Sequence, residues 1–256
     1  MRKLLLLLLC IFFGVAGVAA QKRPATSAAR PAKAAKSPEI GQTAVVIDET
    51  LSVLRMAPSL YAEPVHRMQR GRKVQIKDII EADGVKFFKV LAPPSSLGWV
   101  QADAVFGKFR PGDEERCARL IQAMDGFEQI EAAVQFFELY PDSKFRPAIL
   151  LLFGDLLEET ALRLTRDATN RLKRTEMAAS AAPLHSYYLN FVMLDRYRKM
   201  GITFVFNPST KQYHYDGSSW KQIVAKWTMA PEAVEAKKRL DTLKQKMEAT
   251  TAAAAK

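Results

Sequence analysis

Cysteine and histidine are scarce in this chain. Two cysteines among 256 residues cannot build a disulfide-rich scaffold. The three histidines, His66, His185 and His214, stand in no Cys-x-x-Cys or His-x-x-x-His spacing, so no zinc site is legible. Neither glycine-rich phosphate loop, GxGxxG or GxxxxGK[ST], is found, and no cofactor is expected. Glycine (12) and proline (13) sit near ordinary usage, which excludes fibrous classes. Beyond the first twenty residues no apolar run approaches the roughly 18 residues a membrane span needs. What is present is a foldable composition: 48% apolar and 25% charged residues, with a net charge of +11.

The start of the chain carries an export pattern. Arg2 and Lys3 precede an apolar run from Leu4 to Val15, broken only by Gly14, and Val18-Ala19-Ala20 supplies small residues. This predicts a signal peptide at 1–20 cleaved after Ala20, and a periplasmic or extracellular protein. An uncleaved anchor is the rival reading, and the run is short for it. Leu9 before Cys10 is too large for a lipoprotein signal. Cleavage would leave Cys117 as the one cysteine of an exported chain.

Residues 21–38 are rich in Ala, Pro, Ser, Lys and Arg and contain no acid. They read as a disordered basic linker, either a solvated spacer or a weak contact for anionic surfaces. Setting aside its five basic residues and the two before it leaves 31 basic against 27 acidic residues from Glu39 onward. The remainder is therefore only mildly basic. Its basic cluster from His66 to Lys73 has no interleaved aromatics of the kind a single-strand platform requires, so nucleic acid is not an expected partner. Residues 249–256 form a second low-complexity tail.

From about 41 to 107 the apolar period is short and turn signals are frequent. Ala44–Ile47 and Leu51–Arg55 read as strands, Pro58 to Pro64 as a long irregular loop, and Lys73–Lys77 as an alternating, half-buried strand. Ala82-Asp83-Gly84 signals a hairpin turn, followed by strands at Val85–Val90 and Gly98–Val100. Five short strands in this space suggest a small barrel.

The residues Leu51-x-Val53-Leu54-Arg55-x-x-Pro58, Gly71 with Val74, Phe87-Phe88-Lys89-Val90 and Gly98-Trp99-Val100 resemble the bacterial Src-homology-3-like domain. The resemblance covers about a quarter of the chain. It implies a binding module for wall peptide or protein and, through related domains, an aromatic-lined groove for extended peptides. Tyr61, Phe88 and Trp99 are the candidate groove aromatics. Phe88 and Trp99 have barrel filling as their alternative role. His66, Arg67, Arg70, Arg72 and Lys73 form a basic cluster, either an anion site or a solvated face, with Arg67 and Arg70 the candidate ligand contacts.

After Pro111-Gly112 the period becomes helical. Cys117, Leu120, Ile121 and Met124 make one stripe, which Asp125-Gly126 is expected to end. Phe127, Ile130, Val134 and Phe137 make the next. Ser143 is a candidate N-cap, and Pro147 opens a broad apolar helix running through Leu164. Met177–Pro183 reads as a linker. Phe204–Phe206 and Tyr213–Tyr215 flank a hairpin turn, Trp220–Trp227 is a short helix, and Pro231 starts the last one. Phe136–Pro141, and Ile223–Trp227 ahead of Ala236–Leu240, resemble joins of tetratricopeptide-type helix pairs, which would imply a concave surface for a protein partner. No 34-residue period spans the segment.

The expected fold class is multidomain α+β: a small all-β barrel at 41–107, then a tetratricopeptide-like helical domain at 113–248 with one hairpin insertion. Catalysis is not legible. Cys117 with His185 is a conceivable nucleophile pair, but Cys117 lies on an apolar stripe, where thiols are ordinary packing. Glu158-Glu159 diverge by about a hundred degrees around a helix and read as a solvated face. The expectation is a non-enzymatic envelope protein whose partner is a protein or peptide, with peptidoglycan as a further option. Its alternative is a wall hydrolase or the targeting subunit of one.

Overall fold

The computed structural model describes residues 37–253, with side chains as far as Glu248. The expected signal peptide, most of the basic linker and part of the C-terminal tail lie outside the described residues. The described part is mixed α+β: a curled antiparallel sheet followed by a helical region.

The sheet contains β1 (Thr43–Val46), β2 (Val53–Arg55), β3 (Pro64–Arg67), β4 (Lys73–Ala82), β5 (Val85–Ala92), β6 (Ser96–Gln101) and β7 (Val105–Phe106). A 3-10 turn at Ala102–Ala104 joins the last two. The spatial order is β3-β2-β6-β5-β4-β1-β7. Seven strands replace the five expected. The stretch read as one long loop contains β3, which pairs with β2 from Pro64 to Arg67. Its residues are mostly exposed, and a strand at a sheet edge lacks the apolar alternation that marks a strand in sequence. The β4–β5 turn is as expected: Asp83 and Gly84 both take left-handed φ values, 54° and 70°, as a two-residue hairpin turn requires.

Strand β1 explains its own unbroken apolar run. Alternate residues point to opposite faces. Ala44 and Val46 join the sheet core with Leu54, Val74, Ile76, Phe88 and Val100. Val45 and Ile47 join the helical core, as does Phe106 of β7. The two cores are separate clusters that share these strands, so β1 is buried on both faces.

The helical region comprises α1 (Asp113–Ala123), α2 (Gly126–Leu139), α3 (Arg146–Arg171), α4 (Arg174–Ser180), α5 (Leu184–Leu189), α6 (Asp195–Arg198), α7 (Ser218–Lys226) and α8 (Pro231–Ala253), with the hairpin β8 (Phe204–Asn207) and β9 (Gln212–Tyr215) before α7. The stretch read as a linker before Pro183 is largely α4. It buries no residue, so it shows no apolar period. Gly126, expected to close α1, opens α2 instead at φ 56°, with Asp125 at the N-cap. Helix α1 ends at Ala123, just before that pair, where the N–H of its C-cap Met124 reaches the carbonyls of Leu120 and Ile121. Pro147 lies in the first turn of α3, and Ser143 Oγ accepts the Phe145 N–H at 3.0 Å.

Helix α3 is 26 residues long, about 39 Å, and packs against α2, β9, α7 and α8. It is the central helix that its broad apolar face predicts. The segment from sheet to helices is clamped. Asp113 Oδ2 accepts the Gly107 N–H at 3.1 Å and Arg110 Nε at 3.0 Å, and Tyr140 Oη donates to the Gly107 carbonyl at 3.1 Å.

Candidate functional site

The loop from Met56 to Glu63 leaves β2 and is pinned to the far hairpin. Asp83 Oδ2 accepts Ser59 Oγ at 2.7 Å and the Leu60 N–H at 2.8 Å. These two bonds hold the Asp83 carboxyl below its ordinary range. Arg55 Nη1 donates to the Ala62 carbonyl at 2.8 Å and closes the loop from beneath. Tyr61 rides at its tip, 90% exposed.

Strand register sorts the expected aromatics. Phe88 faces Val100 and is wholly buried in the sheet core. Lys89 faces Trp99 across the same pair of strands, one residue on and therefore on the opposite face. Trp99 thus lies on the outer face, with Lys89 Nζ 5.7 Å from its ring centre and Arg55 paired on its other side. It is 8% exposed. Leu97, two residues before it on β6 and therefore on the same face, is an exposed apolar side chain. The expected trio is therefore divided. Phe88 is corrected to a core residue, because strand alternation turns it inward. Trp99 lies on the outer face and Tyr61 in the exposed loop, with no ring contact between them among the described residues.

The basic cluster is divided too. Arg67 Nη1 donates to the carbonyls of Glu49 and Thr50, the second at 2.7 Å. The Arg70 side chain is only 3% exposed. Its Nε donates to the Ile47 carbonyl at 2.8 Å, and its guanidinium bridges Glu131 at 3.0 Å and Glu128 at 3.3 Å on α2. Burial raises the Glu131 carboxyl above its ordinary range, against the attraction of Arg70 and with added repulsion from Glu49 and Glu128. Arg72 donates to the Pro93 carbonyl. Arg70 is thereby corrected from a ligand contact to a fold contact, its donors taken by a backbone carbonyl and two carboxylates, whereas Arg67 is exposed and anchored through Nη1. Lys73 keeps a free ammonium among the described residues.

In the helical region Cys117 is fully buried on α1, and burial, with help from the Asp113 carboxylate, pushes its thiol up to about 12. His185 is exposed at the start of α5. The two make no hydrogen bond. Among the described residues no group of three or more His, Cys, Asp and Glu side chains is placed to hold a metal, and no helix is long and apolar enough to cross a membrane.

Sequence reasoning missed Glu158. It is no solvated residue: its side chain is 14% exposed and joins three elements. Oε1 meets His214 Nδ1 of β9 at 3.1 Å and Lys246 Nζ of α8 at 2.8 Å, while Oε2 accepts the Tyr215 N–H at 2.9 Å. Burial alone would raise this carboxyl, yet the three donors pull it down to about 2. Glu159, its neighbour, is 63% exposed and pairs with Arg163 on the same helix. The partners of Glu158 lie 56 to 88 positions away, and no local pattern announces them. No protein-family model matches the chain, and comparisons with curated proteins and with solved structures return no match.

Proposed function

We propose that this chain is an exported, non-enzymatic binding or scaffold protein of the cell envelope. In this reading the sheet is a Src-homology-3-like module that takes a peptide or wall component on the face around Trp99. The carrying observation is the loop pinned to Asp83, which presents Tyr61 at 90% exposure beside a strand pair that carries Trp99 and the exposed Leu97 on its outer face. An aromatic held out by a loop that is itself hydrogen-bonded at both ends loses little entropy on binding, which favours recognition. Lys89 over the Trp99 ring suits the carboxylates of an acidic peptide.

The helical region is assigned to a protein partner, in the manner of tetratricopeptide-type surfaces. Support comes from apolar side chains left in solvent: Val192 at 65%, Met229 at 95% and Val234 at 62% exposure. A wall hydrolase built on Cys117 as nucleophile needs an ionised thiol, and a buried Cys117 raised to about 12 weighs against that form of the reading.

Sedimentation of the full chain with purified peptidoglycan, followed by titration with soluble stem peptides, tests the proposal. Retention weakened by Tyr61→Ala is the expected result. Folded protein that neither sediments nor responds to any stem peptide refutes it.

A further inference from the structure

The clearest unassigned cavity is a cleft of about 600 Å³ where the end of α2 lies over the β4-β1-β7 edge of the sheet, a size typical of small-molecule sites. Its architecture follows from register. Val45 of β1 pairs with Lys73 of β4 on one side and with Phe106 of β7 on the other. Directly opposed residues share a face, so Lys73 and Val45 lie side by side beneath α2. The chain leaving β7 then brings Lys108 and Phe109 to the opposite wall. Gln135, Glu138 and Leu139, spaced along one face of α2, close the top.

Val45, Phe109 and Leu139 make the surface of this cleft apolar. Lys73 and Lys108 line it, and among the described residues neither ammonium is engaged in an ion pair. This separates Lys73 from Arg67, Arg70 and Arg72 of its sequence cluster, each of which donates to a carbonyl or carboxylate. Among the described residues Glu138 likewise has no partner. Two ammonium groups against one carboxylate leave a single net positive charge. One negative charge neutralises that balance, whereas a di- or polyanion would leave uncompensated negative charge beside Glu138.

We infer that this cleft binds a carboxylate carried on an apolar body, with Lys73 and Lys108 holding the carboxylate and Val45, Phe109 and Leu139 covering the body. The site is independent of the Trp99 face. Two sources supply this chemistry, a free aliphatic acid and the C-terminus of a short apolar peptide.

The test is a titration of the isotope-labelled full chain, read by amide shifts at residues 41–45 and 135–139. The probes are hexanoate, hexanol, hexylammonium, and an N-acetylated Ala-Leu-Ala peptide as acid and as amide. Hexanoate or the peptide acid is expected to saturate the cleft, with hexanol and the peptide amide roughly tenfold weaker and hexylammonium weaker still. The tighter of the two acids identifies the source. The double variant K73A/K108A is expected to lose about tenfold in carboxylate affinity, and Glu138→Gln to gain affinity by removing repulsion, a result misfolding does not imitate. The inference is overturned if neither acid saturates, if hexanoate and hexanol bind alike, or if K73A/K108A binds as well as the parent.

Discussion

Arg70 Nη1 lies 3.0 Å from Glu131 Oε2, across 61 residues of sequence, and this pair fastens the sheet to helix α2. The arginine is nearly enclosed, while Glu131 retains 35% and Glu128 69% of its side-chain exposure. The energetic weight therefore falls on the arginine, whose loss strands both the Ile47 carbonyl and Glu131. Arg70→Met is expected to cost about 3 kcal/mol in urea unfolding, and Glu128→Gln less than about 1 kcal/mol. Equal effects of the two would contradict this account.

The Glu158 carboxyl gives a signed pH dependence. It is held at about 2 in the fold against an ordinary 4.5. A carboxyl lowered in this way contributes stability that is full above the unfolded value and is lost as pH falls from about 4.5 toward 2. Within that window the unfolded chain binds up to one more proton here, a slope of up to about 1.4 kcal/mol per pH unit. Glu158→Gln is expected to flatten the stability–pH curve by that amount, leaving the remaining carboxylates, Glu39 among them, to produce the rest. An unchanged slope in the variant would show that the three donors do not act on this group.

Glycine in mid-helix usually favours replacement by alanine, by about 1 kcal/mol. Gly154 of α3 should behave oppositely. A Cβ there would stand 2.3 Å from Trp220 Nε1 and 2.6 Å from Ser219 Oγ of α7, so either the indole or the helix must move. The steric cost of such overpacking, about 1–3 kcal/mol, opposes and is expected to exceed the gain in propensity. Thermal unfolding of Gly154→Ala decides the sign, and a raised melting temperature would show that α7 yields freely.

Tyr61 and Trp99 should separate binding from stability. Tyr61→Ala removes a side chain already in water, so unfolding is expected to shift by less than about 0.5 kcal/mol. Trp99→Ala uncovers the outer face and is expected to cost about 3 kcal/mol or more. Chemical denaturation of both variants beside peptide titration checks the pair.

Cys117 should be silent toward thiol reagents in the native state. Its thiol is buried and its ionisation pushed up to about 12, so the reactive thiolate is almost absent at neutral pH. Labelling by a disulfide reagent is expected to track unfolding as denaturant rises. Rapid labelling of the native protein would place the thiol near an open path.

Local signals carried the elements whose burial is periodic. The Asp83-Gly84 turn, the start of α3 at Pro147, the apolar stripe of α1 and the hairpin at β8–β9 are each written within a few residues. Elements without burial left no such trace. Strand β3 sits at an exposed edge and α4 buries nothing, so both read as irregular chain.

By itself the sequence determined the change from strand to helix near Pro111, the apolar run of β1 and the residue types available for recognition. Only the tertiary structure decided how they are used. It turned Phe88 inward and Trp99 outward, spent Arg70 on two glutamates, tied Glu158 to β9 and α8, and set Lys73 beside a cleft shared with Lys108. The reason is physical. Periodicity reports which side of an element is buried, whereas pairing of charges and formation of a cleft depend on which distant surface arrives to cover it.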